Sequence, residues 1–170
     1  MIKTNRIIIT VGILVLLNLS CGVYSFRGNN PPAGIKSIAI PLFEDVSGFS
    51  EAGLKEDFTE LLKKKVLNDN TFTLADKNIS DGVLYCKITN IKDEALVITG
   101  NENVSKRKIT IALNVRFENL KTKKLIWEKN YENWGEYNSS SQSFSERQQG
   151  IKTAQDKITE DILIDITSNW

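Results

Sequence analysis

From Ile109 to Phe117 the chain alternates without a break: Ile109, Ile111, Leu113, Val115 and Phe117 are apolar, with Thr110, Ala112, Asn114 and Arg116 between them. A two-residue period predicts a strand with one buried face and one wetter face. Leu84, Cys86 and Ile88 alternate in the same way, and a third strand is expected to carry Leu125, Trp127 and Tyr131 on one face. The Lys-rich turn 119–124 joins the last two strands as an antiparallel hairpin. Upstream the period becomes helical. Leu54, Phe58, Leu61, Leu62 and Val66 form one stripe, which predicts a helix over 50–67. Ile151, Ala154, Ile158, Ile162 and Ile166 mark a closing helix that runs to Trp170, with Ser143 and Glu146 placed as a capping box at its start.

Residues 35–43 read as a strand that Pro41 ends or confines to an edge, because proline cannot donate to a ladder. A loop, 44–49, leads from it to the first helix, and a short edge strand, 71–75, follows that helix. Every long element has a single apolar face, so the economical arrangement is an α/β (α+β) two-layer sandwich. It would have a mostly antiparallel four- to five-stranded sheet and two helices packed on one face.

The N-terminus breaks this pattern. Lys3 and Arg6 are the only charges in residues 1–20, and an apolar run, 7–17, follows them. Eleven helical residues reach roughly 16 Å, about half of a hydrocarbon core. That length suits the apolar region of a removable signal segment better than a retained membrane span. Cleavage would leave 20 Lys+Arg against 21 Asp+Glu, formally −1, with no positive field for nucleic acid. Segment 17–21, Leu-Asn-Leu-Ser-Cys, resembles the lipobox cut by bacterial lipoprotein signal peptidase, although Asn18 stands where an aliphatic residue is commoner. Cys21 is then the lipidation site, where several acyl chains give lasting membrane attachment. Gly22, in place of the Asp that retains such proteins at the inner membrane, suits an outer-membrane address facing the periplasm. The expected organisation is signal segment 1–20, a Pro- and Gly-punctuated tether 21–34, and one domain 35–170. The second cysteine, Cys86, falls on the apolar side of its strand and reads as core.

Little in the chain suggests catalysis. The sequence has no histidine, the commonest general base and metal ligand, and no phosphate-binding glycine loop, nucleophile elbow or metal-spaced cysteine pair. Neither a cofactor nor a metal is expected. Asp76, Asp81, Glu44 and Asp45 read as solvated loop carboxylates, and Lys63, Lys64 and Lys65 as a solvated helix end. Lys106, Arg107 and Lys108 open the middle strand beside the loop 99–105, where they could hold phosphates or simply guard a strand from aggregation. Trp127 reads as core, while Trp134, on the other face of its strand, is the better interface candidate.

Several short segments carry a family resemblance. Cys21-Gly22-Val23-Tyr24-Ser25-Phe26, residues 35–43, the run Ser80-Asp81-Gly82-Val83-Leu84 and Lys123-Lys124-Leu125-Ile126-Trp127 are similar, in order and spacing, to the LPS-assembly lipoproteins of the LptE family. The resemblance spans residues 21–170. It implies a non-enzymatic lipoprotein lodged as a plug within a β-barrel partner of LptD type, the pair placing lipopolysaccharide in the outer leaflet. It also implies lipopolysaccharide contact through basic residues near the middle-strand loop. The tip, 99–103, carries none here, so Lys106, Arg107 and Lys108 stand in. Residues 38–47 also resemble a strand and loop of curli-secretion and peptidoglycan-synthase-activator lipoproteins, which is the alternative reading; the short tether and two-helix plan favour the LptE one.

Overall fold

A computed structural model describes residues 31–49, 51–99, 103–138 and 143–168. The signal segment, Cys21 and the tether as far as residue 30 lie outside the described residues. The elements are β1 (Ser37–Ala39), β2 (Glu44–Asp45), α1 (Leu54–Asp69), β3 (Thr73–Leu74), β4 (Gly82–Thr99), β5 (Asn103–Asn119), β6 (Lys124–Asn138) and α2 (Ser143–Thr167). They build the expected α+β class: one open sheet with both helices sharing a single core against its inner face.

The sheet has six strands rather than four or five, in the order β3-β1-β4-β5-β6, with β2 also paired to β4. Only β4–β5 and β5–β6 are antiparallel; β1 runs parallel to both β3 and β4, and β2 parallel to β4. The cause is α1, which acts as the crossover that two neighbouring parallel strands require. The strand expected over 35–43 shortens to β1, and the expected loop 44–49 supplies a second short strand, β2. Pro41 lacks a donor, and the chain leaves the ladder after Ala39 (opposite Val83), rejoining it at Glu44 opposite Lys87.

On the inner face Ile109, Ile111, Leu113, Val115 and Phe117 are each at most 1% exposed, and Leu84, Cys86 and Ile88 face them from β4. Cys86 is a free buried thiol whose pKa burial pushes far up, so it is core as expected. From α1, Leu54, Phe58, Leu62 and Val66 are buried, and Phe58 stacks on Phe43 at 5.5 Å. The helix starts four residues later than expected, after Gly53 at φ 79°, and ends at Asn70 in the left-handed region with its N–H on the Val66 carbonyl. Lys65 is not merely solvated: it reaches Asp156 (2.8 Å) and Glu160 (3.0 Å) and ties α1 to α2. Helix α2 closes the core with Ile151, Ala154, Ile158, Ile162 and Ile166, the stripe expected of it. The Ser143–Glu146 capping pair rests on a side chain outside the described residues.

Two irregularities mark the packing of β6. The register slips between Phe117 and Glu118, so Leu125 lies opposite Glu118 on the outer face and is half-exposed. It therefore does not share the inner face with Trp127 and Tyr131, because one extra residue in one strand of a pair reverses the alternation. The second is a close crossing of main chains. Gly135 of β6 faces Gly150 of α2 so tightly that a Cβ on Gly135 would stand 2.0 Å from the Gly150 carbonyl oxygen.

Candidate functional site: the far half of the long hairpin

Strands β4 and β5 continue to Thr99 and from Asn103, so the expected loop 99–105 is mostly ladder. Lys106, Arg107 and Lys108 consequently sit inside a strand, where alternation separates them. Arg107 shares the inner face with Ile109. Lys106 and Lys108 face outward, on the side of the sheet that carries no helix.

Arg107 is occupied. Its Nε donates to Asp93 Oδ1 at 2.9 Å and its Nη2 to the Asp93 carbonyl at 3.0 Å, while the Tyr137 hydroxyl donates to both Asp93 oxygens at 2.7 and 2.8 Å. The Asp93 carboxylate holds the guanidinium pKa above its ordinary value. Burial, and then Asp93, push the Tyr137 phenol up as well. Arg147, in the first turns of α2, lies 3.9 Å from Asp93 and pairs with the nearly buried Glu51, which also accepts from Gln148. Arg147 further stacks over the Phe49 ring. These polar groups close the far end of the core, joining the two hairpins to both helix starts.

The outer face is different in character. Lys106 Nζ lies 3.7 Å from Glu136, and Lys108 stands in register between Glu94 and Glu136. Lys92, opposite Thr110 and diagonal to Lys108, shares this face. In the sequence Lys92 is masked by its neighbours Asp93 and Glu94, although the strand period places only Glu94 on its face. Three amines against two carboxylates leave this half of the face weakly positive, open and able to hold phosphate oxygens as point charges.

Of the aromatic candidates, Trp127 is buried and packs edge-on to Phe117. Trp134 is 41% exposed on the outer face, with Lys157 Nζ 4.2 Å from its ring centroid. Asp81, expected to be a solvated carboxylate, is instead a staple. It accepts from the main-chain N–H of Lys36 (2.8 Å) and Ser37 (3.0 Å) and pairs with Lys121 in the β5–β6 turn. Lys121 and those N–H groups hold its pKa well below the usual carboxylate range. Among the described residues no cluster of His, Cys, Asp and Glu has the makings of a metal site, and no helix is long and apolar enough to cross a membrane.

A family model described as lipopolysaccharide-assembly, LptE, matches residues 35–166. The chain belongs to the LptE family. The match takes in β1 to β6 and nearly all of α2, including residues 38–47, where the sequence alone left two readings open. Solved structures share the fold at low identity. Rare lipoprotein B from Shewanella oneidensis is 12% identical, with TM-score 0.53, covering 76% of this chain and 92% of that one. A protein from Xanthomonas campestris is 9% identical, with TM-score 0.61 and coverage of 81% and 86%. A hypothetical protein from Chlamydia trachomatis is 9% identical, with TM-score 0.59 and coverage of 78% and 96%. No curated protein matches the chain. As an LptE-family protein, this chain takes part in lipopolysaccharide assembly.

Proposed function

We propose that this LptE-family chain is an outer-membrane lipoprotein, cut before Cys21, lipidated there and facing the periplasm. It partners and plugs a β-barrel of LptD type and has no catalytic role of its own. The family match over residues 35–166 carries this reading, and the signal pattern and lipobox-like segment before Cys21 support it. Lipopolysaccharide phosphates are met by Lys106 and Lys108 together with Lys92, while Arg107 acts indirectly by holding the strands that present them. Affinity isolation of the lipidated protein from detergent-solubilised envelopes tests the partner: a large outer-membrane barrel is expected. Recovery of peptidoglycan synthases alone would sink the reading. Lysine-to-alanine changes at 92, 106 and 108 should cut retention of lipopolysaccharide at least tenfold while leaving the melting temperature unchanged. Unchanged retention would return these lysines to the role of solvated edge charges.

A further inference from the structure

Strand β6 is an edge of the sheet, and part of that edge is blocked. The Trp134 amide donates to Asn133 Oδ1 (3.0 Å), and Lys157 Nζ donates to the Trp134 carbonyl (2.9 Å). Both groups therefore point away from β5. Pairing is continuous from Trp127 to Asn138, so antiparallel alternation turns the N–H and C=O of Glu128, Asn130 and Glu132 outward too. No described residue bonds to the main chain of these three from that side. They offer an open edge about 13–17 Å long, enough for a strand of five or six residues.

Acidic groups outnumber basic ones along this edge, with Glu128 paired to Arg116 at 3.5 Å and Glu136 to Lys106 at 3.7 Å. Glu128, Glu132 and Glu136 recur on the outer face, and Glu132 has only Ala112 opposite it across the ladder. On the helix side of the same edge, Asp161 and Asp165 of α2 accept from Asn133 and Tyr131. Lys129, which bonds Asp165 at 3.1 Å, and Lys157, held at Trp134, are the cations between them. A second copy paired antiparallel along this edge would set Glu132 against Glu132 in the register centred there, or Glu128 against Glu132 in the register centred on Asn130, and like charges directly opposite one another are unfavourable. The stripe that discourages self-pairing suits a strand of the opposite sign.

We propose that the β6 edge from Glu128 to Glu132 takes an extended segment of a partner protein bearing Lys or Arg at alternate positions, added as a seventh strand. Main-chain hydrogen bonds supply the attraction, cations facing Glu128 and Glu132 select the segment, and the blocked Trp134 sets where pairing stops.

The test titrates the protein with two lysine-bearing heptapeptides of equal charge and follows amide hydrogen exchange. One peptide has lysine at its second, fourth and sixth positions with valine and threonine between; the other has its three lysines in one block. The alternating peptide should bind at least tenfold more tightly and slow exchange at Glu128, Asn130 and Glu132 but not at Lys129 or Tyr131. Methylating its main-chain nitrogens on the paired edge should abolish binding, and Glu132→Lys should weaken it at least tenfold. Equal binding of the two peptides would mean that charge alone attracts them and would overturn strand addition. So would the absence of binding, or protection of the same amides by self-association without peptide.

Discussion

Replacing Asp93 by alanine leaves Arg107 and the Tyr137 hydroxyl without their shared acceptor at the far end of the core. The Asp93 side chain is 18% exposed and that of Arg107 30%. The pair thus lies between the surface limit of about 0–1 kcal/mol and the 3–5 kcal/mol of a fully buried broken pair. One charge-assisted bond at 2.9 Å and the single Tyr137 O–H bond, shared between the two carboxylate oxygens, are lost, each worth about 1–2 kcal/mol before relaxation. Arg107 keeps its bond to the Asp93 carbonyl, and water reaches part of the guanidinium, so the net cost should be about 2 kcal/mol. For a domain of this size that lowers Tm by roughly 4–8 °C. Urea unfolding monitored by far-UV circular dichroism measures it, and a double-mutant cycle with Arg107→Ala should give a coupling of about 1–2 kcal/mol. A loss below 0.5 kcal/mol with no coupling would refute the reasoning.

Gly135→Ala should cost about 3 kcal/mol or more in urea unfolding, because its Cβ meets the rigid Gly150 carbonyl. Gly150→Ala meets the Tyr137 ring and an Ile109 methyl at 3.2 and 3.3 Å, with the Glu136 carbonyl oxygen at an ordinary 3.5 Å, and gains helix propensity, so it should cost far less; the reverse order would contradict the packing. Stability should fall as pH rises above about 8.5, since the unfolded Cys86 thiol ionises there and the buried one, with its raised pKa, cannot. The loss reaches about 2 kcal/mol at pH 10, and Cys86→Ala should remove it; a variant with an unchanged pH profile would show that the thiol is not the cause. Asp81 has the opposite sign. Its depressed pKa stabilises the fold above about pH 4, and this contribution is lost as pH falls further, so Asp81→Ala should flatten the acid limb of a Tm-against-pH profile.

The long elements were legible because their periods are long. Nine alternating residues from Ile109 to Phe117, and the Leu54–Phe58–Leu62–Val66 stripe, leave one solution each. Strands of two or three residues such as β1, β2 and β3 carry no period, and their parallel pairing depends on a crossover that no local signal marks. The slip at Phe117/Glu118 was hidden for the same reason, since Leu125 fits either face. Arg107 was within reach: counting back by two from Ile109 places it inside, apart from Lys106 and Lys108. Asp81 was not, because its partners lie more than forty residues before it and, at Lys121, well after it in sequence.

The Asp81 staple has a mechanical consequence. Any pull on the segment preceding Pro31 enters the domain at Ile35, whose N–H already bonds back to the Pro32 carbonyl. From Lys36 and Ser37 the tension passes through one carboxylate to the root of β4 and, by way of Lys121 and the Leu120 amide on the Asp81 carbonyl, to the turn between β5 and β6. The load is therefore shared across the sheet at its base, and a three-residue β1 need not bear it alone before the ladder begins to peel.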